Sequence, residues 1–130
     1  MFKRDISNRQ RKNVLDKKGV QSLITKKLKD IVAQKITYKG KIFEVITITE
    51  LAYIMDRNPS TLKRMETANK IPKAPLRIMK GKLQVRVYPL EYAIQFAYIY
   101  LTEVKQNISV PAETSVKLEK LKQEFFNKTN

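Results

Sequence analysis

An α+β fold, mainly helical with one small β-hairpin, is what this 130-residue sequence predicts. Three observations carry that expectation. Apolar residues recur at helical spacing in several separate stretches. Residues that favour strands gather only in short runs, at 42–48 and on either side of Gly81. The five prolines stand at the edges of these stretches, where a missing N–H does least harm. The predicted organisation is a basic arm and amphipathic helix over 1–41, a winged helix-turn-helix over 42–104, and a linker with a short C-terminal helix over 105–130.

Residues 1–13 have no periodicity and read as a basic arm. Such an arm either follows phosphates or enters a minor groove, or it is a solvated tail. Over 14–36, Val20, Leu23, Ile24, Leu28, Ile31 and Val32 fall at helical spacing, with Lys26, Lys27 and Lys29 on the other side. One apolar stripe must pack on something: the rest of the chain or a second copy. The helix lacks the bulky aromatic face that suits a membrane surface. Tyr38-Lys39-Gly40-Lys41 makes a turn, and 42–48 follows as a strand.

Thr49 is the expected N-cap of a short helix carrying Glu50, Leu51, Ala52, Ile54 and Met55. Asp56-Arg57-Asn58 breaks it. Asn58 then caps a second helix whose first residue is Pro59. Leu62 and Met65 turn that helix inward and leave Ser60, Thr61, Lys63, Arg64 and Thr67 outside. Asn69 ends it, because asparagine tolerates a left-handed backbone. Two helices, a tight turn and a polar, basic second helix make the layout of a helix-turn-helix. Lys73-Ala74-Pro75 forbids further helix. Two strands over 76–79 and 83–88, joined at Lys80-Gly81-Lys82, form the hairpin or wing, with Arg77, Lys80, Lys82 and Arg86 along it.

Pro89 opens a helix to about residue 104. Leu90, Ala93, Ile94, Ala97, Leu101 and Val104 line one side, and Tyr92, Phe96, Ile99 and Tyr100 another. A helix so widely apolar is buried on most of its circumference, against the helix-turn-helix and one further partner: the 14–36 helix, the C-terminal helix or another protomer. Pro111 helps begin the last helix, through about residue 126, with Leu118, Leu121 and Phe125 at coiled-coil-like spacing.

The residues Glu50-Leu51-Ala52, Pro59, Thr61-Leu62-Lys63, Glu66 and Ile71-Pro72, followed by Arg86-Val87-Tyr88, resemble the DNA-binding head of the MerR family and its excisionase-like relatives. The family's pattern runs E-L-A, a turn, S-P-x-T-L-R, an aromatic pair, E, a glycine, an aliphatic residue and proline, and its wing ends R-[LVI]-Y. The chain departs from it in three places. Asp56-Arg57 stands where the family favours Gly-Val, Arg64-Met65 replaces the aromatic pair, and the wing is longer. The resemblance implies a winged head. In MerR-type regulators, a further helix joins two subunits. It implies no metal sensing here, because the cysteines of the metal-responsive members are missing, and no effector-binding domain follows.

Charge points the same way. The chain carries 27 Lys and Arg against 12 Asp and Glu, a net +15, and such a surplus suits a polyanion, most often nucleic acid. Residues 1–42 hold 13 of the basic side chains against 3 aspartates. With neither cysteine nor histidine, disulfides, thiolate metal sites and the usual catalytic bases and nucleophiles are excluded. The acids show no paired spacing for a two-metal site, and the three glycines stand apart, so no phosphate-cradling loop is expected. Glu50 and Glu66 read as structural. The expectation is a non-enzymatic cytoplasmic protein (host-cytoplasmic if phage-encoded), without metal, cofactor, small-molecule effector or membrane span. It binds double-stranded DNA, with the 59–68 helix in the major groove and the 76–88 wing on the backbone. Its DNA-binding residues would be Ser60, Thr61, Lys63, Arg64, Thr67, Arg77, Lys80, Lys82 and Arg86. A homodimer would form through the 90–104 or 112–126 helices. A small transcriptional regulator is the first reading. A phage or mobile-element excisionase-like or DNA-packaging factor is the second, and a protein-interaction or virion assembly module that keeps the fold is the third.

Overall fold

The computed structural model describes residues 17–104 and 110–129. In chain order the elements are α1 (Lys17–Leu28), β1 (Gln34–Tyr38), β2 (Lys41–Thr47), α2 (Ile48–Ile54), α3 (Pro59–Thr67), β3 (Leu76–Lys80), β4 (Leu83–Pro89), α4 (Leu90–Glu103) and α5 (Ala112–Thr129). The strands form one antiparallel sheet in the order β1-β2-β4-β3. The α+β class is therefore the observed one; the strand expected over 42–48 lies beside the hairpin, and β1 adds a fourth strand that was not expected.

The difference lies in 29–38. The amphipathic helix stops at Leu28 in a tight turn, where Asp30 and Ile31 donate their N–H groups to the carbonyls of Lys27 and Leu28. Gln34–Tyr38 is a strand, paired with β2 from Gln34↔Val45 to Tyr38↔Lys41. The expected 14–36 helix is thus corrected at its C-terminal end, while residues 14–16 and the basic arm lie outside the described residues. The cause is the turn. Lys39 and Gly40 both take positive φ, 51° and 78°, the backbone of the two-residue turn that matches strand twist best. That turn folds the β-branched Ile36-Thr37 pair back onto β2, and cross-strand pairing outweighs weak helix propensity.

Thr47, not Thr49, caps α2. Its side chain accepts from the Glu50 N–H at 3.2 Å, and the Glu50 carboxylate accepts from the Thr47 N–H at 2.9 Å. This reciprocal pair satisfies two orphan donors of the helix start. Asn58 and Pro59 open α3 as expected: the Asn58 side chain accepts from the Ser60 N–H at 3.0 Å. Asp56 and Asn69 take positive φ, 55° and 60°, so Asp56 makes the left-handed turn between the helices and Asn69 ends α3. The second hairpin closes at Gly81-Lys82, between the paired residues Lys80 and Leu83, with Gly81 at φ 62°.

The core is built around α4. Tyr92, Ala93, Phe96, Ala97 and Tyr100 are buried against Leu51, Ile54, Met55 and Leu62 of the two short helices, Ile46 and Tyr88 of the sheet, Val20 and Ile24 of α1, and Leu118 of α5. Burying α1 through Val20 and Ile24 contributes about 1.5–3 kcal/mol for each side chain. Both chain-internal partners foreseen for α4 are therefore used at once. A smaller cluster, Val45, Leu76 and Val87 with Ile36, Phe43, Ile78 and Val85 around it, fills the opposite face of the sheet. No helix of the described residues is long and apolar enough to cross a membrane.

Candidate nucleic-acid interface

The outward face of α3 follows from its inward one. Leu62 is fully buried and Glu66 nearly so, with Met65 half-buried beside them. Residues at i, i+3, i+4 and i+7 share a helix face, so Ser60, Lys63, Arg64 and Thr67 form one exposed stripe on the other side. Thr61 sits at its border, half-buried, and accepts from Arg64 at 3.4 Å. Thr67 donates its hydroxyl to the Lys63 carbonyl at 3.0 Å. Lys63 and Arg64 are the charged groups that the stripe presents.

Glu66 is the hinge of the arrangement. One carboxylate oxygen accepts the Ala74 N–H at 2.8 Å, and the other lies 3.0 Å from Arg86 Nε. A buried carboxylate needs such partners, because an unpaired charge out of water is very unfavourable. The contact joins α3, the connector after it and β4. Glu66 and Glu50 thus hold the structural places expected of them. Arg86 faces inward to Glu66 rather than standing free along the hairpin edge.

Arg77 lies directly opposite Arg86 in the β3–β4 register. Directly paired residues share a sheet face, so Arg77 stands on the side of the hairpin that turns toward α3. It is exposed and donates to the Gln84 side chain at 3.4 Å. Lys80 falls on the other face by strand alternation, and Lys82 sits in the turn; both are exposed. The residues expected to bind DNA therefore divide. Ser60, Lys63, Arg64 and Thr67 make one stripe, Arg77 stands on the α3-facing side of the hairpin, Lys80 and Lys82 are at its tip, and Arg86 is held inside.

The sequence reading passed over two further cations, Lys70 and Lys73, both exposed in the connector, where Glu119 of α5 lies near them. Their signal was available in the run Lys70-Ile71-Pro72-Lys73, where the sequence reading uses Ile71-Pro72 for the family pattern and Lys73 only as part of a helix-breaking segment. Helix α5 grips this connector: Ser115 donates to the Lys70 carbonyl at 2.6 Å and Lys122 to the Lys73 carbonyl at 3.0 Å. On the far side of α2, α1 is tied down by polar contacts. Tyr53 donates its hydroxyl to Asp30 at 2.5 Å, and Lys27 sits 4.3 Å from the Tyr53 ring centre and 3.7 Å from Asp56. The hydrogen bond to Asp30 raises the Tyr53 pKa above its ordinary value. Among the described residues, no cluster of three or more carboxylates, histidines or cysteines is placed to hold a metal ion. No family model, no curated protein and no solved structure matches the chain.

Proposed function

We propose that the chain binds double-stranded DNA as a winged helix-turn-helix, with α3 in the major groove and the β3–β4 hairpin as the wing, and that it serves as a small transcriptional regulator. One observation carries the reading. From Pro59 to Tyr88 every exposed charged side chain is positive: Lys63, Arg64, Lys70, Lys73, Arg77, Lys80 and Lys82. The single acid of that stretch, Glu66, is buried and opposed by Arg86. A solvated protein surface normally mixes both signs, whereas a run of one sign through a helix, a connector and a hairpin suits a phosphate backbone.

Within it, Arg64 is the best reader of a base, because a guanidinium can donate two hydrogen bonds to guanine. Lys63, Lys70, Lys73 and the hairpin cations would lie along phosphates and set the register. The resemblance to the MerR-type head supports the same assignment through Pro59, Thr61-Leu62-Lys63 and Glu66.

The test is binding to duplex DNA, single-stranded DNA and RNA across a salt series, comparing wild type with Lys63→Ala/Arg64→Ala. With six to ten phosphates engaged, duplex affinity falls by roughly 10³–10⁵ between 50 and 200 mM salt. The double variant loses about 1–3 kcal/mol for a base contact, roughly 5- to 150-fold, together with sequence preference. A variant that binds duplex as wild type does would sink the assignment of α3.

A further inference from the structure

On this strongly basic molecule one concavity is rimmed by acids. It measures about 620 Å³ and lies where the start of β2, the start of α4 and the end of α5 meet. Ile42, Leu90 and Leu121 contribute to its apolar floor, and Glu44, Glu91 and Glu124 stand around it, all three exposed. Most other carboxylates have work inside the fold: Asp30 accepts from Tyr53, Glu50 completes a cap, Glu66 faces Arg86, and Glu103 takes Lys117 and Thr114. Glu124 has only a 4.0 Å contact with Lys120 on its own helix. Among the described residues Glu44 and Glu91 have no ion pair within 4.0 Å, although Lys35 stands opposite Glu44 in the β1–β2 register. Ile42, 73% exposed, leaves a large aliphatic side chain in water beside them.

The complementary surface is on the same chain. The tip of the β3–β4 hairpin carries Lys80 and Lys82, and its flanking Met79 and Leu83 are 60% and 72% exposed. Two cations set between two bare apolar side chains match a concavity with an apolar floor and an acidic rim. The tip cannot reach its own concavity. β4 pairs with β2 only through Val45, Ile46 and Thr47, so Ile42–Glu44 extends beyond the far end of β4. At about 3.3 Å per residue the tip and the concavity are about 30 Å apart along the sheet.

We propose that the concavity takes the hairpin tip of a second copy, with Lys80 and Lys82 against Glu44 and Glu91, and Leu83, which shares the Lys80 face of the hairpin, against Ile42 and Leu90. The two patches differ, so the contact is head-to-tail and each bound copy offers a free tip and a free concavity at the ends. A contact this small is weak and salt-sensitive. Duplex DNA that engages Lys80 and Lys82 competes for the same tip.

The test is sedimentation equilibrium of the full chain without nucleic acid, at low and high salt. Wild type should rise above its 15.2 kDa monomer mass with concentration at low salt and return to it at high salt. Lys80→Glu/Lys82→Glu and Glu44→Lys/Glu91→Lys should each stay monomeric, because tip and concavity then carry the same sign. Mixing the two variants should restore association, since the intact tip of one meets the intact concavity of the other. A wild type that stays monomeric at low salt overturns the proposal. So does a mixture of variants that fails to associate when wild type does. With no DNA in the cell, either result leaves the duplex-binding reading to its own test.

Discussion

Glu66 shows how one side chain sets the relation between two elements. Its spacing of four from Leu62 puts it on the inward face of α3, but that spacing does not say what a carboxylate there would meet. Its place in the helix packing did mark it as structural, but the identity of its partner, 20 residues further on, was not legible. Arg86 was read as a free cation of the wing for the same reason: strand alternation gives a face, and only the packing of α3 on that face reveals the acid waiting there. Replacing Glu66 with alanine leaves the Ala74 N–H without its acceptor and the half-buried Arg86 without its counter-charge. A buried pair broken from one side costs about 3–5 kcal/mol, and the partial exposure of Arg86 lowers this to roughly 2–4 kcal/mol. Urea unfolding of Glu66→Ala measures it; a loss well under 1 kcal/mol would show that water replaces the carboxylate without penalty.

At the level of elements, the two short helices, their turn, the second hairpin and α4 were all readable, because their boundaries are chemical: Asn58-Pro59, Asn69, Gly81 and Pro89. What escaped was the competition between neighbouring choices. Thr47 and Thr49 are both acceptable caps, and the decision falls to Glu50, which sits three residues after Thr47 and completes the reciprocal pair. Thr47→Ala should therefore destabilise the protein by about 1 kcal/mol, while the exposed Thr49→Ala should be close to neutral; thermal melts of the two variants separate them, and equal effects would mean the cap is not fixed by Glu50. Strand β1 escaped for a related reason. Ile31, Val32 and Ile36 continue the helical rhythm of α1, and the pairing that overrides it depends on a turn backbone at Lys39-Gly40 that the sequence permits without requiring.

Across the whole molecule a single core takes Val20 from the first segment, Tyr92 and Phe96 from the middle and Leu118 from the last. The three expected segments thus contribute to one interior. At its centre the Tyr88 and Tyr92 hydroxyls are buried with no hydrogen-bond partner among the described residues. Burial pushes both phenols well above the ordinary value of 10.0, with the Glu66 carboxylate adding to it at Tyr88 and the neighbouring Tyr88 at Tyr92. An unfolded chain would release these protons near pH 10, whereas the folded chain holds them. The stability they contribute is complete below about pH 10 and declines as pH rises beyond it. Following tyrosinate absorbance and circular dichroism together should show part of the signal from the six tyrosines appearing only as the fold is lost. Full ionisation with the fold intact would contradict the burial of these two.

The grip of α5 on the connector has a consequence in time. Ser115 and Lys122 hold the carbonyls of Lys70 and Lys73 from 45 and 49 residues further along the chain. A ribosome adding roughly 5–20 residues per second releases the basic helix and hairpin several seconds before the helix that steadies the segment between them. During that interval a nascent chain carries a basic helix and hairpin on an unsupported joint, and the ribosome around it is the densest source of phosphate at hand. The basic helix and hairpin acquire their final stiffness only once α5 has been made.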